Sequence, residues 1–341
     1  MNDQSSAGKN TSAMRCMYSR VIIFSPVDTI TGGPEALHQL AYTIRQSGAE
    51  AGMAYFAKDK TIEVSATHIR PQTNEGRALE VYSCYEPKAY TDIELRETDL
   101  LVFPEILSEF ASMDFVCHKA IWWLSVDNAL SVNLALRYPR MPQPLFRNRE
   151  IIHFYQSAYA RQFLLEHGAK KLVPLSDFTK LDDVIKWIPN PFERTVDIAL
   201  FPTKGAELAQ AFVNQAPEFS YILIQKMTRA EVGTALRQTK VYIDFGGQPG
   251  KDRVPREAAI SGNVIFLHHQ GAGSYYEDCP LDDIYLFTEE DVRSGNLKAR
   301  IQLAIHNIAE NFQLQTYYRH RVLNEKSEFD MQVSNFFTSK V

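Results

Sequence analysis

The sequence lacks several features that would assign the chain to a common class. It has no apolar run that approaches the roughly 20 residues of a membrane-spanning helix. Its four cysteines are far apart and form no CxxC or Cys/His cluster, which excludes a zinc module and favours a reduced compartment. The net charge of −5 excludes a global basic field of the kind that attracts nucleic acid. The dinucleotide fingerprint GxGxxG is also missing, which argues against a dehydrogenase.

What remains is an ordinary globular composition. The 341 residues suffice for two domains, and 45% of them are hydrophobic and 23% charged. Residues 1–19 are polar and lack the apolar core of a signal peptide, so we predict a disordered lead-in there. We expect a cytoplasmic protein, and these criteria leave peripheral contact with an inner membrane open.

The N-terminal half alternates apolar strands with amphipathic helices. A strand at 20–25 leads through a loop with Gly32 and Gly33 into a helix at 34–47, whose apolar residues recur at helical spacing. A second helix is predicted from Ser157 to about residue 167. Further strands are predicted at 51–57, 100–103, 120–124, 151–155 and 171–174. Such alternation predicts a mostly parallel sheet with helices on both faces.

The same pattern restarts after residue 187. A polar segment at 176–183, followed by Pro189 and Pro191, marks the break between two units. A single long helix with an apolar stripe is predicted to close the chain. Strands are predicted at 196–201, 221–224, 240–245, 264–268 and 284–287, with helices at 205–213, 229–238 and near residue 256. We therefore predict an α/β protein of two Rossmann-like, doubly wound domains that face a cleft, with domains at 20–174 and 175–310.

The most informative stretch runs from residue 242 to 270. An apolar strand enters a loop with Gly246 and Gly247, and a short helix predicted to open at Pro255 leads into a second apolar strand. Basic side chains and helix-start amides at the carboxyl end of a strand suit a phosphate. The predicted cations are Lys251, Arg253 and Arg256, and Glu257 is predicted to accept hydrogen bonds from both ribose hydroxyls of a nucleotide.

The segment PREAAISGNVIF resembles the donor-domain signature of retaining glycosyltransferases with the two-domain GT-B fold. PTKG at 202–205 is similar to their strand–Lys–Gly element, and TGGPEALHQLAYTIRQSG is similar to their first glycine-rich loop and helix. IWWLSVDNA and HFYQSAYARQFLLEHGAKKLVPLSDF are similar to bacterial polysaccharide glycosyltransferases of this group. These matches span most of residues 20–320 in the correct order.

The resemblance implies a role for each part of the chain. The N-terminal domain would bind a glycan or lipid-linked acceptor, and the C-terminal domain a nucleotide-sugar donor. A helix over 311–341 would cross back to the N-terminal domain. Lys204 would contact the donor diphosphate, while Gly32 and Gly33 would lie near the reacting sugar. The similarity to bacterial polysaccharide glycosyltransferases implies a role in surface polysaccharide biosynthesis, such as O-antigen of lipopolysaccharide or capsule. We expect no metal, no cofactor beyond the donor and no nucleic-acid partner.

The chain departs from the family at one position. Many retaining members carry two glutamates separated by seven residues, and the second matches Glu257 while Pro249 stands at the first. The donor sugar is therefore open, and so is the stereochemical outcome, although retention is favoured. If the reaction inverts, a side chain must take the acceptor proton. Asp28, Glu105 and Asp127 are the candidates, because each follows a predicted strand.

Two features are candidates for acceptor contact. Trp122 and Trp123 lie in an apolar strand and point to opposite faces, so both can be core, and Trp123 is the candidate for stacking on a sugar. The basic, proline-rich segment 137–149, which includes Arg147, is either an exposed loop or a contact for anionic lipid headgroups.

Fold alone does not decide function. A non-catalytic nucleotide- or sugar-binding protein and a two-domain sugar-nucleotide epimerase remain as alternatives to a glycosyltransferase.

Overall fold

The structure, a computed structural model, describes residues 14–57, 62–71, 73, 75–137, 144–182 and 193–340. The strands are β1 Met14–Cys16, β2 Arg20–Pro26, β3 Ala51–Phe56, β4 Glu63–Val64, β5 His68–Arg70, β6 Ile93–Glu94, β7 Asp99–Pro104, β8 His118–Trp123, β9 Ile151–Tyr155, β10 Leu172–Pro174, β11 Val196–Leu200, β12 Tyr221–Leu223, β13 Thr239–Asp244, β14 Val264–His268, β15 Leu286–Phe287 and β16 Thr338–Lys340. The α-helices are α1 Gly32–Gln46, α2 Arg77–Val81, α3 Val126–Val132, α4 Pro144–Arg147, α5 Ala158–Glu166, α6 Ala206–Gln215, α7 Arg229–Gln238, α8 Arg253–Ile260, α9 Glu289–Arg293, α10 Asn296–His306, α11 Ile308–Leu314 and α12 Thr316–Phe337.

The N-terminal domain is built on a six-stranded parallel sheet in the order β10-β9-β8-β7-β2-β3. Strands β3 and β7 are buried throughout and β2 nearly so, because packed elements cover both faces of the sheet. The strand order reverses between β2 and β7. The loops that follow these two strands therefore open at the sheet edge where ligands bind in doubly wound folds.

The C-terminal domain repeats this design with a five-stranded parallel sheet in the order β12-β11-β13-β14-β15. Its order reverses between β11 and β13. The loop after β11 carries Lys204, and the loop after β13 carries the glycine-rich and basic stretch 246–252. The two switch points thus bring together the segments that the sequence singles out. The fold class is confirmed as two Rossmann-like domains with parallel sheets.

The chain closes with three helices where the sequence predicts one. Breaks fall at Asn307 and Gln315, so the apolar stripe at 301–312 is split between α10 and α11. The Gln315 side chain accepts a hydrogen bond from the Ile265 amide at 2.9 Å and donates one to the Ile265 carbonyl at 3.0 Å. These bonds fix the second break against β14, and no helical periodicity reveals such a tertiary contact.

Helix α12 joins the two domains. Tyr318 and Val322 in its first half belong to the core of the C-terminal domain, whereas Phe329, Val333 and Phe337 belong to a core of the N-terminal domain. Strand β16 then pairs antiparallel with β1. Residues 14–19, which we expected within a disordered lead-in, therefore contain an ordered strand, and Tyr18 is buried. Residues 1–13 lie outside the described part of the chain.

A buried ionic network also ties the two domains together. Arg256 in α8 contacts Asp177 of the connecting segment at 2.7 Å and Glu325 of α12 at 2.9 Å. Glu325 also accepts hydrogen bonds from the amide and hydroxyl of Thr179, both at 2.9 Å, and lies 3.2 Å from Lys251. Burial alone would lower the pKa of Arg256, but Asp177 and Glu325 outweigh it and raise that pKa. The guanidinium therefore stays charged inside the protein.

We predict that Arg256→Met strongly destabilises the protein. Removing the guanidinium leaves the buried Asp177 and Glu325 undercompensated, and breaking a buried pair costs about 3–5 kcal/mol of unfolding free energy. Arg293→Met is the matched control, because Arg293 and Glu289 form an exposed pair and such a pair contributes at most about 1 kcal/mol. Urea unfolding at pH 7 measures both variants. Equal effects of the two substitutions would contradict the structural role of Arg256.

The same network predicts a pH dependence. Burial alone would raise the pKa of Asp177, but Arg256 and Lys251 outweigh it and hold that pKa below its ordinary value of 3.8. The stabilisation is then complete well above pH 3.8 and is lost as the pH falls through the lowered pKa. We expect the unfolding free energies of wild type and Asp177→Asn to differ by a constant amount from pH 7 to 5 and to converge below pH 4. A difference that persists unchanged into acid would contradict this assignment.

Candidate functional site

The cleft between the domains holds a first cavity of about 280 Å³, which we call the inner cavity. The N-terminal domain contributes the loop before α1 and the ends of β7 and β8, and the C-terminal domain contributes the loop after β13. Its polar and glycine lining includes Gly32, Gly33, Glu105, Asn128, Gln156, Lys251, Asp252 and Arg253. Two of the four predicted glycines, Gly32 and Gly33, and two of the predicted cations therefore line one cavity.

Gly250 lets the loop after β13 lie directly against the N-terminal domain. A Cβ atom at this position would lie 2.1 Å from the Leu124 carbonyl oxygen, so a larger residue would force the domains apart. Two interdomain hydrogen bonds flank it. The Val126 amide donates to the Pro249 carbonyl at 2.9 Å, and the Lys251 amide donates to Gln156 Oε1 at 3.1 Å. Pro249, at the position of the family's first glutamate, thus contributes its backbone to the domain contact.

A second cavity of about 550 Å³, which we call the basic cavity, lies on the other side of Arg253. Five basic side chains and two carboxylates line it, together with apolar residues such as Phe201 and Met227. The charged lining residues are Arg77, Lys180, Lys226, Arg229, Arg253, Glu35 and Glu257. Arg253 lines both cavities and therefore lies at the boundary between them.

Glu257 and Arg253 belong to an ionic cluster at the start of α8. Glu257 Oε1 lies 3.5 Å from Arg253 Nε and 3.4 Å from Arg229 Nε. Across the cleft, Glu35 of α1 contacts Arg253 Nη1 at 2.8 Å. Burial raises the pKa of Glu257 although both arginines oppose that shift. The carboxylate is thus enclosed at the wall of the basic cavity, and Arg253 bridges the two domains.

Lys204 is held by two aspartates. Its ammonium contacts Asp252 closely and lies 3.5 Å from Asp244, while about 38% of its side chain is exposed. Burial alone would lower the pKa of Lys204, but the two carboxylates outweigh it and raise that pKa. Lys204 is therefore a cation whose charge is already matched within the domain, and a ligand phosphate must compete with Asp252 for it.

The remaining predicted cations face the connecting segment and α12. Lys251 Nζ donates to Ser176 Oγ at 2.8 Å and pairs with Glu325, although Lys251 also lines the inner cavity. Both terminal nitrogens of Arg256 are engaged by Asp177, Glu325 and the Lys251 carbonyl, and Nε donates to the Asp252 carbonyl. Arg256 therefore holds the loop that shapes the cavity and lines neither cavity itself.

The three candidate bases occupy different environments. Glu105 is buried, lines the inner cavity and accepts a hydrogen bond from the Leu124 amide at 3.2 Å. Asp28 is exposed and lies outside both cavities. Asp127 is exposed and accepts a hydrogen bond from the Tyr159 hydroxyl at 2.9 Å. Glu105 alone of the three faces the cavity that both domains enclose.

The candidate acceptor contacts lie apart from the cavities. Trp123 has no exposed surface, and its indole donates to His153 Nδ1 at 3.1 Å. It packs on Phe146 and Phe163 in the core and presents no face to an acceptor. Arg147 ends α4 and is exposed, and residues 138–143 before that helix lie outside the described part of the chain.

Gly246 and Gly247 line a third cavity of about 520 Å³ rather than the cleft. It lies at the carboxyl ends of β11, β13 and β14, beside the first turn of α6 and the buried His268. Their prediction as donor contacts stays a prediction.

Several residues of the site carry no signal in the sequence pattern. Glu35 lies on a helix predicted from its apolar stripe, and Arg229 opens another such helix. Asp177 and Glu325 are 148 positions apart in the sequence yet share one guanidinium. Only tertiary packing brings these groups together. The one available signal was that Asp177 is an acidic residue in the polar segment 176–183, where the sequence predicts the domain break.

Within the described residues, no group of three or more His, Cys, Asp or Glu side chains could hold a metal ion. None of the helices described is long and apolar enough to cross a membrane.

The sequence matches no protein-family model and no curated protein. Solved structures do match. Alr3699/HepE from Anabaena, solved in complex with UDP-glucose, aligns with a TM-score of 0.64 at 9% identity over 93% of this chain and 98% of that chain. Sucrose-phosphate synthase from Thermosynechococcus elongatus aligns with a TM-score of 0.59 at 12% identity over 93% and 98%. TarM from S. aureus, a mutant in complex with fondaparinux, alpha-GlcNAc-glycerol and UDP, aligns with a TM-score of 0.55 at 9% identity over 92% and 99%.

At these identities a structural match establishes the fold and nothing finer. The matches extend over nearly the whole of both chains, so they concern the arrangement of two domains and not one Rossmann-like unit. The chain therefore has the two-domain GT-B fold of these proteins.

Proposed function

We propose that the chain is a glycosyltransferase that moves a sugar from a nucleotide-sugar donor to a glycan or lipid-linked acceptor. The observation that carries the proposal is the position of Arg253 and the first turn of α8 between the basic cavity and the inner cavity. A diphosphate joins the nucleoside of such a donor to its sugar. Its charge therefore falls between the two subsites, where a guanidinium and free helix-start amides favour it.

Each cavity would hold a different part of the donor. The nucleoside would occupy the basic cavity, with its ribose on Glu257 and its base near Phe201 and Met227. The sugar would occupy the inner cavity beside Gly32 and Gly33, where the N-terminal domain meets the loop after β13. Since the inner cavity lies between the domains, an acceptor entering from the N-terminal side reaches the sugar without exposing it widely to water.

Retention of configuration fits this arrangement better than inversion. In a retaining transfer the leaving phosphate can itself take the acceptor proton, and no side-chain base is then needed. Glu105, the candidate base at the inner cavity, already accepts a backbone hydrogen bond from Leu124. We also propose that the enzyme needs no metal, because Arg253 and Lys204 can supply the positive charge that the leaving group requires.

The structural matches support this proposal in chemical terms. Alr3699/HepE was solved with UDP-glucose and TarM with UDP, so proteins of this fold bind such donors. We propose a cytoplasmic enzyme of bacterial surface polysaccharide biosynthesis, acting on O-antigen or capsule. The exposed Arg147 and the basic segment before it would contact the inner membrane that carries a lipid-linked acceptor.

Two observations favour a second candidate, a non-catalytic nucleotide- or sugar-binding protein. Pro249 replaces the glutamate that many retaining members use, and two aspartates compete for Lys204. Both features would weaken the binding of a reacting donor without changing the cavities.

We predict that Glu257→Gln and Lys204→Ala each lower sugar transfer by at least about 10², because each removes a preorganised contact to the donor. The donor is first chosen by a thermal-shift screen of UDP, GDP, CMP and dTDP compounds, since a ligand of the native state raises the melting temperature. Transfer of labelled sugar to a glycan or lipid-linked acceptor is then measured. Glu218→Gln and Lys298→Ala, a surface pair outside both cavities, are the matched controls.

The outcomes separate the candidates. Wild-type transfer by both site variants contradicts the assigned site. Nucleotide binding without transfer to any acceptor supports the binding protein, and a new nucleotide sugar formed without an acceptor supports an epimerase.

A further inference from the structure

The cations of the cleft fall into two groups according to whether a carboxylate already matches them. Lys204, Lys251, Arg229, Arg253 and Arg256 each lie within ion-pair distance of at least one aspartate or glutamate. The basic cavity contains three further cations, Arg77, Lys180 and Lys226, which pair with no carboxylate among the described residues. Within the described residues, these three side chains are therefore the cations of the basic cavity that lack a carboxylate partner.

Arg77 belongs to the N-terminal domain and Lys180 to the segment that connects the domains, and neighbouring groups hold the Lys180 ammonium and the backbone at Arg77 in place. The Lys180 ammonium donates to Cys84 Sγ at 3.2 Å and lies 5.7 Å from the centre of the Tyr85 ring. Arg77 is the first residue of α2, and the next amide, that of Ala78, donates to the Val27 carbonyl at 2.8 Å. Arg77 is thus anchored beside the loop that leads from β2 to Gly32.

Lys226 approaches the cavity from the opposite domain in a costly backbone conformation. Its φ angle is +52°, in the left-handed region that non-glycine residues avoid. Directly after it, Thr228 and Glu231 form a reciprocal capping box that fixes the start of α7. Strained residues held by rigid neighbours cluster at ligand sites. The strain here holds an exposed ammonium at the wall of the basic cavity.

We propose that Arg77, Lys180 and Lys226 form a phosphate-binding site that bridges the two domains in the basic cavity. The two carboxylates that line this cavity, Glu35 and Glu257, are already engaged by Arg253 and Arg229. An anion entering the cavity therefore meets three cations that have no carboxylate partner among the described residues, and a diphosphate matches them better than a neutral sugar does.

The phosphate can belong to the donor or to a phosphorylated acceptor. The existence of the site does not depend on the proposed function, whereas the identity of this source rests on it. The probe is pyrophosphate, titrated by calorimetry into the full-length protein at low and at physiological salt. We expect binding that weakens with salt. Arg77→Gln, Lys180→Gln and Lys226→Gln should each weaken it about 10-fold or more, as the loss of a charge-assisted hydrogen bond does. Lys170→Gln, an exposed lysine of the N-terminal domain outside the basic cavity, is the matched control and should bind as the wild type does.

A second titration identifies the source. Pyrophosphate is titrated into protein saturated with the nucleoside diphosphate that the thermal-shift screen selects. Competition shows that the donor nucleotide occupies the basic cavity and reaches these cations. Simultaneous binding that the Arg77→Gln substitution still weakens assigns the site to an acceptor phosphate.

The inference is overturned if wild type does not bind pyrophosphate, or if all three variants bind it as tightly as the Lys170→Gln control. Loss of sugar transfer in every assay, with pyrophosphate binding intact and sensitive to the three substitutions, would contradict the proposed function and leave this site standing.

Discussion

The buried contact of Arg256 with Asp177 and Glu325 is the interaction on which the rest of the cleft depends. It joins a helix of the C-terminal domain, the segment that connects the domains and the final helix that crosses between them. Arg256 also donates to the carbonyls of Lys251 and Asp252, so it shapes the loop that closes the inner cavity. A buried guanidinium with two carboxylates holds its geometry because any rearrangement would leave a charge unpaired in the interior.

The charges of the cleft have two different tasks as a consequence. Some cations are matched internally and position backbone, as Arg256 does for the loop after β13. Others line a cavity without a described carboxylate partner, as Lys226 does. Proximity to a strand end does not separate these tasks, because Lys251 and Arg253 lie two residues apart after the same strand yet face different neighbours. Only the count of carboxylates around each cation reveals which charge is available to a ligand.

The sequence predicts the elements of this fold well where burial is regular. The strand at 151–155 and the helix at 229–238 agree with the structure to the residue, because a buried apolar run and a capped amphipathic stripe depend on local pattern alone. Prediction is poorer where a tertiary contact overrides local pattern. The final helix breaks at Gln315 because that side chain binds the backbone of β14. The short antiparallel sheet of β4, β5 and β6 was not predicted, because its strands have only two or three residues and show no clear alternation.

The sequence by itself determined the fold class and the position of the cleft. Alternating strands and helices require parallel sheets, and parallel sheets place their loops at one edge. The tertiary structure decided which of the polar residues face a cavity. It places Glu105 there, buries Trp123 in the core and occupies Arg256 with carboxylates up to 79 positions away. The physical reason is that hydrophobic periodicity is a local property of the chain, whereas the pairing of buried charges depends on segments that only folding brings together.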